Sequence, residues 1–303
     1  MPAPIIGETS PYKLAHSLRE LWGLTQNLPS SVAGVDGEVT TLQGLVQQLV
    51  NDVAALQEST GLPPGFCSIR VSQGTDTAHD VTFSAGKARS ADDADNIVLS
   101  SGITKQIDAA WALGDDAGGL DTGSVGNNSI YYLWVIKRSD TGVVDALLSL
   151  SATAPTMPAD YDLAQRVGWV RTDGSANILA FVQDETDLAE FRYSTVVEDV
   201  DVSNQGDSSV LRTLSLPPNS KALFRMMVNS AGASVVVRPL TENDASPDDA
   251  AVPGSSLISD GVAVAAEFEV ALDASARLAT RSSAGNTDLA IWTKGAKLRT
   301  ITP

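Results

Sequence analysis

The chain has 303 residues, with 37 Asp and Glu against 20 Lys and Arg, two His and one Cys, for a formal net charge of −17. Hydrophobic residues make up 43%, too many for a disordered chain, while 5% aromatics and 24 Gly with 14 Pro point to a loop-rich β protein. A chain of this sign without a basic cluster offers a phosphate backbone no electrostatic footprint, so nucleic acid is excluded as the expected partner.

The acid is spread out: residues 1–69, 70–183 and 184–303 carry −4, −6 and −7. Such a distribution keeps a repetitive assembly soluble and says nothing about fold. Cys67 has no second thiol to pair with in the chain and reads as a small, inert side chain. No run of 18 apolar residues occurs, and residues 1–13 contain Pro2, Pro4 and Pro11 without a charged-then-apolar order. Neither a signal peptide nor membrane insertion is expected.

The first regular feature is a heptad. Leu28, Val35, Leu42, Leu49 and Leu56 recur every seven residues, and Val32, Val39, Val46 and Val53 each follow four residues later. That places Val at every a position and mostly Leu at d, so Val32, Val35, Val39, Leu42, Val46, Leu49, Val53 and Leu56 form the expected association seam. Pro29 suits the first turn of a helix, and Gly61-Leu62-Pro63-Pro64-Gly65 ends it, giving a coiled coil over residues 30–62. The flanking e and g positions include Asp36, Glu38, Leu45, Val50 and Asp52 but no Lys or Arg. Val at a with Leu at d pulls toward a dimer, whereas Leu45 and Val50 widen the stripe toward three strands; the expected state is a parallel homotrimer.

Residues 66–183 alternate turn signals with short apolar runs. Residues 129–137 and 143–150 flank Arg138-Ser139-Asp140-Thr141-Gly142 as a hairpin with Gly in the left-handed position. Residues 166–172 and 177–183 read as a second hairpin about Asp173-Gly174-Ser175-Ala176. Ile103, Ile107 and Trp111, at i, i+4 and i+8, predict a short helix over residues 104–113.

Several blocks of this segment resemble a module common in fibre proteins of tailed bacteriophages and prophages. They are Asp95-Asn96-Ile97-Val98-Leu99-Ser100-Ser101, Ile103 to Trp111, and Gly119-Leu120-Asp121-Thr122-Gly123. In the same order follow Ser139 to Asp145, Ala152-Thr153-Ala154-Pro155-Thr156-Met157-Pro158, and Arg166-Val167-Gly168 with Arg171-Thr172-Asp173-Gly174-Ser175. The resemblance spans about residues 85–183. It implies a β-rich module repeated around a trimer axis in a virion appendage, and implies no reaction. The family often carries an aromatic-His pair where this chain has Tyr132-Leu133, so any role of that His is absent.

In residues 184–303 the alternating runs are 193–202, 210–216, 222–228, 234–240, 262–272, 276–281, 288–293 and 297–301. Asn229-Ser230-Ala231-Gly232-Ala233 reads as the turn of a hairpin between the third and fourth. Strands at this spacing predict an antiparallel β-sandwich, with a jelly roll as one arrangement. Trp292, closing the apolar run Leu289-Ala290-Ile291, is expected in the core or at an edge rather than as a binding platform.

Catalytic signals are weak. Asp121-Thr122-Gly123 and Asp140-Thr141-Gly142 match the triplet of aspartic proteases, but Asp-x-Gly is also turn chemistry and no internal repeat pairs them. His16 and His79 accompany no nucleophile elbow; the nearest run is Gly206-Asp207-Ser208-Ser209-Val210. Asp92, Asp93, Asp95 and Asn96, and separately Asp199, Asp201, Ser203 and Asn204, supply oxygen atoms at calcium-like spacing without the Gly and Glu of an EF-hand. No cofactor or metal is expected. Trp111, Tyr132 and Trp134 are the candidate glycan contacts, although alternation must bury one face of that strand.

The expected fold is mainly β with an N-terminal α-helical coiled coil, two β-sandwich-like domains standing on a trimeric stalk. The expected organisation is a virion-docking segment over 1–29, the stalk over 30–62, a fibre module over 66–183 and a C-terminal sandwich over 184–303. The function this implies is a non-enzymatic fibre subunit on the exterior of a tailed-phage virion. Its partners would be its own copies, another virion protein and a host-surface glycan. The alternatives are a capsid-surface (head) fibre or decoration protein with an architectural role, and a glycan depolymerase.

Overall fold

A computed structural model describes residues 42–51, 62–242 and 255–298. The chain divides into two compact units, Met1–Leu62 and Pro63–Pro303. In the first, residues 42–51 are helical. Leu42, Leu45 and Leu49 are 54%, 63% and 49% exposed there, while Val46 is buried. Val32, Val35, Val39, Val53 and Leu56, the docking segment 1–29 and residues 30–41 and 52–61 of the expected stalk lie outside the described residues.

The second unit is mainly β, built as several sheets. In chain order it begins with β1 (Val71–Gln73), β2 (Asp80–Phe83), β3 (Gly86–Arg89), β4 (Asn96–Leu99) and β5 (Ile103–Ala110). There follow β6 (Ala117–Leu120), β7 (Ile130–Lys137), β8 (Val144–Ser149) and β9 (Leu163–Arg171). Seven of these form one sheet in the order β1-β2-β5-β6-β8-β7-β9, and β3 pairs with β4. The β5–β6 and β6–β8 pairs are parallel and the rest antiparallel. The β7–β8 hairpin closes through Gly142 at φ 74, a conformation that disfavours a side chain. β7, Ile-Tyr-Tyr-Leu-Trp-Val-Ile-Lys, is buried on both faces from Tyr131 to Ile136, as a central strand requires.

The helix expected over residues 104–113 is not formed: Ile103–Ala110 is strand β5. Spacings of four also satisfy a period of two, and the intervening inward position, 105, is a lysine. Lys105 is fully buried, and its Nζ donates to the carbonyls of Ala112 (2.6 Å) and Gly114 (3.0 Å) and lies 3.2 Å from Asp145 Oδ1. Asp145 Oδ2 accepts the Gly114 N–H at 2.9 Å, and Lys105 Nζ stands 5.5 Å from the centre of the Trp111 ring. Burial pulls the Lys105 pKa below its ordinary value, against the opposing pull of Asp145. The pair fastens the 111–116 crossover to the sheet.

The chain continues through β10 (Phe181–Gln183), β11 (Glu190–Gln205), β12 (Val210–Thr213), β13 (Lys221–Asn229) and β14 (Ala231–Arg238). It ends with β15 (Ser255–Asp260), β16 (Val264–Ala271), β17 (Arg277–Ser282) and β18 (Thr287–Lys297). One sheet has the order β10-β11-β18-β13-β16 and the other β12-β17-β14-β15. From β11 onward the chain crosses to the other sheet at every connection except β14–β15. Eight antiparallel strands linked in this way have jelly-roll connectivity. Val235, Val237 and Leu278 of one sheet join Phe224, Met226, Leu289 and Ile291 of the other in one apolar core.

Two expected hairpins are thereby replaced. β10 pairs with β11 rather than β9, leaving only a Thr172–Ile178 bridge at the expected turn. β13 and β14 lie in different sheets, because Ser230 is a crossing point and not a hairpin tip. Turn residues mark where a chain bends and carry no information about which sheet receives it.

Removing one member of the buried pair leaves the other charge unmatched, which costs about 3–5 kcal/mol. Lys105→Met and Asp145→Leu should each lower the thermal midpoint sharply in differential scanning calorimetry, and Lys105→Met/Asp145→Leu should lose less than the two single losses combined. Additive losses would show that the two groups do not act as a pair.

Candidate functional site

The outer face of the sheet β10-β11-β18-β13-β16 carries two adjoining open cavities. Its geometry follows from β18, where Leu289, Ile291 and Thr293 point into the core and are buried. Period-two alternation then turns Ala290, Trp292 and Lys294 outward. Trp292 is half-buried on a strand flanked by β11 and β13, so it lies neither in the core nor at an edge, contrary to expectation.

The register sets a transverse row. Glu198 of β11 faces Trp292, Trp292 faces Arg225 of β13, and Arg225 faces Glu267 of β16. The next row along the same face is Asp201, Ala290, Met227 and Ala265, in which Ala290 is buried. Val196, Arg225, Met227, Glu267, Trp292 and Lys294 line a cavity of about 430 Å³, within the size range of small-molecule sites. A second cavity of about 230 Å³ lies beside it, sharing Glu267 and Lys294 and reaching Arg192, Leu223 and Glu269.

Most charges here are already paired. Lys294 Nζ donates to Glu267 Oε1 at 2.6 Å and Lys221 donates to Glu269; these ammonium groups hold both carboxyls below the ordinary glutamate range. Arg225 makes no hydrogen bond or ion pair among the described residues, so its guanidinium faces the groove with its donors unused. The site therefore combines an apolar ring, one unengaged fork of donors and fixed acceptors, and holds no thiol, His or hydroxyl nucleophile among its lining residues.

The residues singled out from sequence lie elsewhere. Tyr132 and Trp134 are buried at 5% and 2% exposure, with Arg166 5.5 Å from the Tyr132 ring centre. Trp111 is half-buried, donates from Nε1 to the Ala146 carbonyl at 3.1 Å and meets Tyr161 edge-on at 5.5 Å. None of the three offers an open ring face. The two Asp-Thr-Gly triplets stand at opposite ends of β8: the Asp121 N–H donates to the Leu148 carbonyl, while Asp140 sits in the turn before Val144. Roughly 13 Å of strand separates them. Asp121 accepts the Thr156 N–H and Asp140 takes the Arg138 fork, at 2.9 Å and 2.8 Å. The facing carboxylates of an aspartic protease are not assembled.

His79 pairs with Asp76 at 2.9 Å, which raises its pKa, and Cys67 is half-buried, its thiol pushed up by burial. Asp93 and Asp95 are engaged by Arg89 (2.6 Å) and Lys137 (2.5 Å), and Asp199 accepts the Ser215 N–H at 2.8 Å. Among the described residues no three His, Cys, Asp or Glu gather to hold a metal ion.

The chain matches no protein-family model and no curated protein. Among solved structures, the Arthrobacter globiformis T6 isomalto-dextranase complexed with panose aligns with it at 15% identity. That alignment covers 87% of this chain and 43% of that one, with a TM-score of 0.16.

The depressed carboxyls fix the pH response. A carboxylate with a lowered folded pKa contributes stability that is present above its unfolded value and lost as pH falls through the folded one. Glu267 and Glu269 fall from 4.5, and Asp140 and Asp184 fall from 3.8 to about 2. The thermal midpoint should rise slightly from pH 7 to about 5 as His79 protonates beside Asp76, and then decline steadily toward pH 2. In Glu267→Gln/Glu269→Gln the part of that decline just below pH 4.5 should shrink; an unchanged profile would show that the two lysine pairs contribute nothing.

Proposed function

We propose that the chain is a non-enzymatic fibre subunit of a tailed-phage virion, trimerised through its heptad helix, with the C-terminal sheets facing outward to host-surface glycans. The observation that carries this reading is the exposure of Leu42, Leu45 and Leu49 on one helix of a single chain. Leu42 and Leu49 hold the d positions and Leu45 a flanking one, so other copies of the same seam cover all three. The acidic excess in every segment and the ordered blocks over residues 85–183 support placement on the particle exterior. In the domain organisation that accompanies this reading, residues 1–29 dock on another virion protein, 30–62 form the stalk, 66–183 the fibre module and 184–303 the distal sandwich. Against the depolymerase alternative, Glu267 and Glu269 are both held low by lysines, whereas a glycosidase needs one carboxyl raised to act as acid.

Multi-angle light scattering of the full chain should give a mass near 95 kDa, three copies of 31.6 kDa. Leu42→Asp/Leu49→Asp should return one copy's mass while circular dichroism retains the β spectrum. A wild-type mass near 63 kDa would replace the trimer by a dimer. Antibody against the chain should decorate the appendages of intact virions in electron micrographs; unlabelled particles would overturn the virion assignment.

A further inference from the structure

We infer that the Trp292 groove is a binding site for an uncharged glycan, with one pyranose ring stacked on the indole. The inference rests on the glycan-contacting reading above and assigns it to particular residues.

A pyranose presents an apolar C–H face and a rim of vicinal hydroxyls, each hydroxyl both donor and acceptor. Its complement is an open aromatic ring bordered by fixed donors and acceptors. The row Glu198, Trp292, Arg225, Glu267 has that composition, acceptor, ring, donor, acceptor, at neighbouring strand positions. Arg225 supplies the unused donors and spans two adjacent hydroxyls; Glu198 and the Lys294-paired Glu267 accept. Val196 and Met227 extend the apolar floor, and the smaller cavity past Glu267 lies where the next sugar of a chain would sit. A second protein copy is the poorer occupant, since the cores of obligate interfaces are depleted of charge and this face would bury Arg225, Lys294, Glu267 and Glu269 together. The lining charges, Arg192, Arg225 and Lys294 against Glu267 and Glu269, come close to cancelling, so the glycan class is set by the chain's net charge of −17, which opposes uronic and sialic acids.

The test presents the full chain to an array of neutral and acidic polysaccharides, alongside Trp292→Ala and Arg225→Gln. Wild type should bind neutral glycans in preference to acidic ones. Trp292→Ala should weaken binding about tenfold or more and Arg225→Gln several-fold, both side chains pointing away from the core, with the β spectrum in circular dichroism and the molar mass unchanged. Wild-type binding that both variants retain would overturn the groove while leaving the adhesive fibre reading in place. Preference for acidic glycans would overturn the class. A lowered mass in Trp292→Ala would make the face a subunit interface and overturn the inference. Absence of binding to every glycan would remove both the groove and the adhesive role, and leave the architectural fibre.

Discussion

The second unit depends on the seating of Phe191. Its ring lies within 6.1 Å of Phe181 and 5.9 Å of Trp169, and Tyr193 meets the same indole edge-on at 5.6 Å. These rings come from β9, β10 and β11, so one aromatic cluster joins the seven-stranded sheet to the first strand of the jelly roll. The seat exists because two neighbours lack side chains. A Cβ on Gly168 would lie 2.4 Å from the Phe191 ring, and one on Gly295 would lie 2.0 Å from the Phe191 carbonyl oxygen. At Gly295 the backbone of β11 comes closer to β18 than a side chain there would allow, within the pairing Glu190–Lys297, Phe191–Ala296, Arg192–Gly295.

From that anchor the outer face is determined. Shifts of register after Arg192 and after Glu198 absorb extra residues of β11, and the result sets Glu198 opposite Trp292. The bulged residue, Asp199, turns its carboxylate to Ser215 and Thr293 and so contributes to the fold rather than to the groove. On β18 the same register leaves Ala290 on the outer face beside the indole. The row about Trp292 is thus a consequence of strand pairing, and the pairing traces to a contact with β9 outside the jelly roll.

What the sequence disclosed, and what it concealed, follows from this. The helix over residues 42–51 is legible because its period is local, and the β7–β8 hairpin because both strands adjoin their turn. β5 reads as a helix because Lys105 occupies an inward position that Asp145, forty residues on, makes tolerable together with the Ala112 and Gly114 carbonyls. β10, β13 and β14 were each assigned to the wrong neighbour, since a jelly roll pairs strands distant in sequence and its turns look like hairpin turns. The groove was hidden for the same reason. Arg225 and Glu267 show as charges alternating with apolar residues, which marks an outward face, yet only the long-range order β11-β18-β13-β16 gathers them about Trp292. Trp111, Tyr132 and Trp134 drew attention by density of aromatics, and that density belongs to a central strand and its packing.

The helix and the groove bear on one another through number of copies. A shallow groove with one stacked ring and a few exposed polar contacts binds weakly, because water competes for every hydroxyl and little surface is removed from solvent. Three such sites on one particle raise avidity by about 10²–10⁴ over one when a polymer offers repeated ligands, with no contact added at any site. In the proposed trimer the exposed leucines at 42, 45 and 49 therefore do more than hold a stalk: they set the multiplicity that turns a weak sugar contact into adhesion. The same multiplicity brings the net charge to −51, three times −17, which keeps the trimers apart from one another and from acidic polymers in solution. A neutral glycan is the ligand class that gains from three copies without meeting that field.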